Sequence, residues 1–354
     1  MKSDPTPGMK KRPTLADVAQ SAGVSKTTAS LALNGKGLNK IPASTRARVL
    51  AAAGALQFRP HGVARALVRR RAEVLGVVCT VNPFFEMAHH AFEQALLSAL
   101  FYHALERGYN PMIYGPPAEG VAEEALLRYA DGRSDAFILL YPPPDSVLLK
   151  YLYSQDIPVV ALCSSTPDPR AVGVDSDHEA GIRALIAHLT ELGHRRIAYI
   201  IDPNSDRETH LRILTFRAAL RERGLPVRED WIVPYAEENA SAEAAVAQLF
   251  SGAAPPTALL TWNDFIAEEV YKALRQRGLR IPEDVSVVGF DDTPSARTAV
   301  PALTTVRQDM VQMGRAAVDI AIEALAEEIR PEQNRLILCP VQFIVRQSTA
   351  PPKS

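Results

Sequence analysis

The stretch Pro13-Thr14-Leu15-Ala16-Asp17-Val18-Ala19, continued by Gly23-Val24-Ser25-Lys26-Thr27-Thr28-Ala29-Ser30-Leu31-Ala32-Leu33-Asn34, decides the fold of the N-terminal part. Leu15, Val18, Ala19 and Ala22 recur at i, i+3, i+4 and i+7, one apolar stripe of a helix. Thr14 is placed to cap it, and Asp17 sets negative charge at the positive end of the helix dipole. Gly23 provides a tight turn, and Ser25 caps a second helix. In that helix Ala29, Ala32 and Leu33 continue the buried stripe, so Lys26, Thr27, Ser30 and Leu31 face outward. Small residues inside and hydrogen-bonding or methyl-reading groups outside are what a helix entering the DNA major groove requires. A plain helical hairpin has the same periodicity, and the distribution of charge argues against it.

Through residue 72 the chain carries six lysines and eight arginines against Asp4 and Asp17, a net +12. The other 25 basic and 38 acidic residues leave the remainder at −13, and the whole chain at −1. A small basic head gains affinity for phosphates by counterion release, and an acidic body limits indiscriminate adhesion to nucleic acid. A third helix is expected over about Ala43 to Leu56. Pro60 disfavours helical backbone at Arg59 and separates that helix from Val63, Ala64, Ala66 and Leu67, which suit a two-turn helix too short to be stable alone in water. The first dozen residues, basic and proline-rich, read as a disordered arm.

From residue 73 the pattern changes. Val74–Val78, Ala136–Leu140 and Pro158–Leu162 are short apolar runs suited to buried parallel strands, and Ile197–Ile200, Ala258–Leu260 and Val285–Phe290 form a second set. Helical stretches separate them, which predicts two right-handed α/β units. At 354 residues there is room for a head and two subdomains with cores of their own. No apolar run reaches the roughly 18 residues of a membrane span, and no signal-peptide core is seen near the start, so a cytoplasmic, nucleoid-associated protein is expected. Cys79, Cys163 and Cys339 lack CxxC spacing and fit a reducing compartment.

The head motif resembles the lactose-repressor/galactose-repressor (LacI/GalR) family of bacterial transcription factors, and the resemblance runs from about Thr14 to Ser348. It implies base-reading positions at Lys26, Thr27, Ser30 and Leu31, and phosphate-contacting or positioning roles for Thr14, Ser25, Asn34 and Thr45. Leu31 stands where other members carry arginine; it can touch a thymine methyl but cannot pair bidentately with guanine. The segment from Arg59 to Leu67 resembles the family hinge, with Ala64 and Leu67 among its DNA-contacting residues and Leu67 as a wedge between base pairs in the minor groove. A leucine packed into the body is the alternative for Leu67. The implied architecture is an all-α helix-turn-helix head plus an α/β periplasmic-binding-protein-like body of two doubly wound parallel-sheet subdomains. The expected division is an arm over 1–12, the head over 13–57, a hinge over 58–72 and the body over 73–354. Within the body, one subdomain would take about 73–176 plus 306–336 and the other about 177–305 plus 337–348.

In such a body a ligand sits beyond the carboxyl ends of the strands, where several motifs fall. Asn82-Pro83-Phe84-Phe85 is similar to a family loop, and Arg212 matches the family's effector-facing arginine. Trp262-Asn263-Asp264, Phe290-Asp291-Asp292 and the late crossover Leu303 to Asp309 complete the set. Arg212, Asp291 and Asn263 offer a fork donor, an acceptor and an amide, which suits a polyhydroxylated ligand, with Phe84, Trp262 and Met310 as apolar or stacking walls. Asn82, Ser164 and Gln308 are the remaining effector candidates; Ser164 stands where a family member has an acidic ligand residue, which leaves the effector open between a sugar, a nucleoside and other compounds. Duller readings stand beside these: Asp264 as a helix N-cap, Arg212 and Asp291 as partners of each other or of helix ends, and Tyr141-Pro142-Pro143-Pro144 as a rigid loop at the rim.

From Asn82 to Gly108 the chain is longer than is usual in the family, by enough to add about 12 Å of helix. His89, His90, Phe101 and Tyr102 in that segment would reshape the cleft mouth or a dimer face, and two adjacent histidines on a helix point too far apart to share a metal. No Gly-x-Ser-x-Gly elbow, Walker loop or HExxH helix is present, so neither an enzyme, a cofactor nor a metal is expected. A transport receptor or enzyme on the same body fold is the rival class. The expectation is a homodimeric regulator, most often a repressor in this family, that reads a pseudo-palindrome of double-stranded DNA under control of a small-molecule effector, without membrane association. No heptad tail follows Ser348, so a dimer rather than a tetramer is expected.

Overall fold

A computed structural model describes residues 13–33, 41–59, 71–79, 91–117, 123–143, 145–164, 172–202, 206–235, 241–326 and 335–353. The chain divides into two compact units, one through Ala72 and one from Glu73 onward.

The first unit contains three helices: α1 (Leu15–Ala22), α2 (Lys26–Leu33) and α3 (Ala43–Ala55). A reciprocal capping box starts α1: Thr14 Oγ1 accepts from the Asp17 N–H, and the Asp17 carboxylate accepts from the Thr14 N–H at 2.7 Å. Gly23, at φ 62°, closes the helix with left-handed backbone, and the Val24 N–H returns to Ala19 O. Ser25 Oγ accepts from the Thr28 N–H at the start of α2. Val18, Ala19, Ala22, Ala29, Ala32, Val49, Ala52 and Ala53 form the core; most are alanines, so the helices approach closely.

The second unit carries two parallel sheets. In the first, β1 (Val74–Val78), β2 (Asn110–Tyr114), β3 (Ala136–Leu140), β4 (Val159–Leu162), β5 (Val172–Ser176) and β11 (Arg335–Cys339) lie in the order β11-β5-β4-β3-β1-β2. Alternate residues of β3 serve opposite faces: Ala136, Ile138 and Leu140 join one core, Phe137 and Leu139 the other. Gly76 of β1 lies under the Phe137 ring so closely that a Cβ there would come within 2.3 Å of it. Helix α4 (Ala91–Glu106) covers one face together with α11 (Met310–Leu325), and α5 (Val147–Ser154) covers the other. Gly314 of α11 brings the two helices together, since a Cβ there would stand 2.9 Å from Leu100 N.

The second sheet has the order β7-β6-β8-β9, from β6 (Ile197–Ile201), β7 (Ile232–Pro234), β8 (Ala258–Thr261) and β9 (Ser286–Val288). Helices α6 (His178–Glu191), α7 (Asp206–Glu222), α8 (Ser241–Leu249), α9 (Asp264–Gln276) and the short α10 (Pro294–Thr298) surround it. The chain leaves the first sheet at Ser176, and α6 already packs into the second core. It returns through β10 (Thr305–Gln308) into α11 and β11, then crosses again as β12 (Val341–Ile344), antiparallel to β10.

The two late crossings fall about three residues beyond the expected boundaries at 305/306 and 336/337. Bridges from Val288 to Thr304 and from Asp291 to Arg307 keep β10 beside the second sheet, and β11 stays paired with β5 through Cys339. Within the expected crossover, Arg307 and Gln308 are both anchored to carboxylates of the second half, Asp292 and Asp291. Of the segment from Asn82 to Gly108, residues 91–108 are described and the earlier part, with His89 and His90, lies outside the described residues. Phe101 is partly buried against the core and Tyr102 is 72% exposed.

Candidate functional site

Polar side chains gather where β5, β8 and β9 end. Arg212, on α7, is 3% exposed, and its guanidinium lies between two aromatic rings, 4.0 Å from the Trp262 centroid and 3.9 Å from that of Phe290. Both rings follow strand ends, Trp262 after β8 and Phe290 after β9, so the sheet fixes the spacing of the cage. In the plane of the guanidinium, Nη1 donates to Trp262 O at 2.7 Å and Nε donates to His178 Nδ1 at 3.2 Å. His178 Nε2 meets Asp175 Oδ1 at 3.1 Å. Burial, with Arg212 adding to it, lowers the His178 pKa and favours the neutral ring. The buried Tyr199 phenol also lies against Arg212, and burial pushes its pKa up to about 12.

Beside this cage stand three carboxyl groups. Asp291, with φ at 116°, accepts from Gln308 Nε2 at 2.6 Å. Burial, then the neighbouring Asp264 carboxyl, raises its pKa well above the carboxylate range, and the charge of Arg212 opposes that rise. Glu93 of α4 also adds to it, which brings one group of the first half electrostatically toward the second. Asp264 is buried and accepts from Thr305 Oγ1 at 2.6 Å and from the Thr293 N–H at 2.7 Å; burial raises its pKa to about 7. Asp292 meets Arg346, Arg307 and Arg297 at 2.5, 2.6 and 3.3 Å. Burial works against the Asp292 charge, but hydrogen bonds from Arg346 and Arg307 prevail and hold the pKa below its ordinary value.

The other expected effector residues are scattered. Asn263 is the N-cap of α9, its Oδ1 accepting from the Ile266 N–H at 2.9 Å. The cap expected of Asp264 is therefore made one residue earlier, because Asn263 has the extended backbone an N-cap needs, and Asp264 turns inward. Trp262, read as a stacking wall, is buried with an indole face covered by Arg212. Arg212 and Asp291 share no hydrogen bond; each has partners of its own. Ser164, after β4, donates to Pro142 O at 3.0 Å, and Met310 packs against the core of the first half. Asn82 and Phe84 lie outside the described residues. Sequence reading missed His178 and Asp175, and it quoted Phe290 only as part of a motif; their placement at the ends of β5 and β9 was the available signal.

In the head, Lys26 and Thr27 are exposed on α2, and Ser30, Leu31 and Thr45 are half-buried. Thr14 and Ser25 are engaged as caps while remaining exposed. Asn34, Ala64 and Leu67 lie outside the described residues. Among the described residues no group of three or more His, Cys, Asp or Glu side chains could hold a metal ion, and no helix is long and apolar enough to cross a membrane.

Comparison with known proteins gives a consistent result. Residues 14–61 match the bacterial regulatory proteins of the lacI family, and residues 186–349 match a periplasmic binding protein-like domain. The HTH-type transcriptional regulator DegA of Bacillus subtilis is 31% identical over 346 residues, covering 96% of this chain and 98% of DegA. The HTH-type transcriptional repressor PurR of Photobacterium profundum is 28% identical over 339 residues, 95% and 98% of the two chains. Among solved structures, the lac repressor dimer bound to operator and the anti-inducer ONPF aligns with a TM-score of 0.81 at 27% identity, covering 96% of this chain and 100% of that one. The complex of the transcriptional regulator CelR with cellobiose aligns with a TM-score of 0.70 at 28% identity, covering 95% and 100%.

Proposed function

The chain belongs to the LacI family of bacterial regulatory proteins and is a DNA-binding transcriptional regulator rather than an enzyme; from that premise we propose that it is a homodimeric repressor switched by a small polyhydroxylated effector. In this reading two heads take the half-sites of a pseudo-palindrome, with Lys26, Thr27, Ser30 and Leu31 against base edges and Thr14, Ser25, Asn34 and Thr45 at the backbone. The proposed division is a basic arm over 1–12, the head over 13–57, a hinge over 58–72 carrying Ala64 and Leu67, and the effector-binding body beyond. The protein works in the cytoplasm, associated with the nucleoid.

One observation carries the effector reading: a guanidinium held between Trp262 and Phe290, beside the Asp291–Gln308 pair, where the chain crosses between the two sheets. A cation held by two rings and two hydrogen bonds, next to a carboxyl group whose burial disfavours its charge, suits hydroxyl-rich ligands that need both donors and acceptors. Asn82, Phe84, Ser164, Asn263 and Met310 complete the proposed lining. Effector binding alters the relation of the two sheets and thereby the hinges, with a coupling of typically about 1–3 kcal/mol.

Selection of genomic fragments by the purified protein, followed by titration of the recovered site with and without candidate metabolites, cellobiose included, tests the reading. An enriched pseudo-palindrome and a compound that shifts its affinity are expected. Enrichment with no response to a broad set of sugars and nucleosides would refute the effector class, and no enrichment at low salt would refute the operator reading.

A further inference from the structure

The guanidinium of Arg212 has one contact that constrains a proton. Its Nε–H can only donate, so His178 Nδ1, at 3.2 Å, must accept. The ring proton then sits on Nε2, directed at the Asp175 carboxylate 3.1 Å away. The donors therefore run outward from Arg212, through His178 to Asp175 on one side and directly to Trp262 O on the other, and all three residues are at most 5% exposed. A doubly protonated imidazole breaks it, because Nδ1–H would face a donor and a second cation would be buried against the first.

The groups facing His178 are Asp175 at the end of β5, Asp177 at the cap of α6, Arg212 on α7 and the Phe290 ring at 5.9 Å. Two acids face a cation already in place, and Asp177 Oδ1 is taken by the Ala180 N–H at 2.9 Å.

We infer that His178 is a positioning residue for Arg212: its neutral imidazole, protonated at Nε2, holds the guanidinium in the aromatic cage, and protonation of Nδ1 releases it. The effector response is thereby gated by pH, being present while His178 is neutral and lost on acidification. The inference rests on the proposed reading of Arg212 as the effector-facing cation, but its test does not need the effector.

The chain has two tryptophans, Trp231 and Trp262, so a Trp231→Phe chain reports on the indole under Arg212 alone. In an Asp264→Asn background, which removes the neighbouring carboxyl titration at about 7, its emission should follow one titration with a midpoint below the ordinary imidazole value of about 6.5. His178→Asn keeps an acceptor toward Nε without a titrating ring; it should retain the high-pH emission and lose the titration. His178→Ala should show the acid-form emission at every pH. A titration that persists in His178→Asn, or an unchanged profile in His178→Ala, overturns the inference. If Trp231→Phe does not fold, long-range ¹⁵N spectra of the intact chain decide it: an Nε2–H tautomer at neutral pH is expected, and an Nδ1–H tautomer overturns it. A normal titration combined with an Arg212→Ala protein that still responds to effector would refute the effector reading and leave the positioning role standing.

Discussion

Burying Arg212 removes a hydration shell that its neighbours must replace, and they do so on both faces and along the edge of the guanidinium. A desolvated cation stacked on aromatic rings gains roughly 2 kcal/mol or more from each favourable contact, so the side chain is held in place before any ligand arrives. Truncating it removes charge and cage filling together. Arg212→Ala should abolish the effector response and leave operator affinity within about threefold, measured by operator titration with and without the active compound. A variant that responds normally would remove Arg212 from the site. Asp264 supports a second prediction. Its pKa of about 7 in the folded protein lies above the unfolded value of about 3.9, so the folded state binds the proton more tightly. That contribution to stability is full below about pH 4 and disappears as pH rises through about 7. Asp264→Asn should flatten this part of the stability profile, which otherwise falls by on the order of a few kcal/mol. Denaturant midpoints between pH 4 and 8 check it, and a variant with the same slope as the parent would place the titration elsewhere.

At the scale of elements, close approach sets the limits. Gly76 has the Phe137 ring where a Cβ would sit, and Phe137 is buried among Tyr114, Tyr129 and Leu139, so it has little room to move. Gly76→Ala should lower stability by about 1–3 kcal/mol, the usual cost of overpacking a core; a melting temperature equal to the parent's would mean that the ring swings aside. The six strands read from apolar runs, β1, β3, β4, β6, β8 and β9, are those buried on both faces, where burial enforces a nearly continuous apolar pattern. The edge strand β2 begins Asn110-Pro111 and leaves Ile113 exposed, so it does not give that signal. Strand β11 does carry an apolar run, Leu336 to Cys339, which is not among the six, although Leu336 and Leu338 are exposed at the sheet edge. Strand β5 is buried, but its Asp175 and Ser176 interrupt the apolar run: Asp175 meets His178, and Ser176 Oγ donates to Met313 Sδ. The same applies to His178: at the first position of a helix a polar residue reads as cap chemistry, and only the fold brings it to an arginine 34 residues later. The head was legible almost to the residue, since its helices are defined by local signals, a capping box at Thr14, a left-handed glycine at position 23 and a hydroxyl cap at Ser25.

For the whole molecule the decisive asymmetry is charge, +12 through residue 72 against −13 beyond it. A dimer of such heads presents two basic patches, and neutralising phosphates releases counterions. Operator affinity should therefore fall by at least about 10³ between 50 and 200 mM salt if six or more phosphates are contacted. A slope near zero in filter or fluorescence titrations would contradict this electrostatic reading. The wedge role proposed for Leu67 would separate the two components of affinity, because an apolar wedge releases no counterions and acts only where the duplex is deformed to receive it. Leu67→Ala should weaken operator binding at least tenfold, leave non-specific binding within about twofold, and keep the salt slope unchanged, since the phosphate contacts remain. Titrating operator and random duplexes side by side at three salt concentrations resolves all three quantities. Equal loss on both duplexes would make Leu67 a packing residue of the folded chain. A flattened slope would mean that the hinge positions the basic residues on the backbone rather than opening the groove.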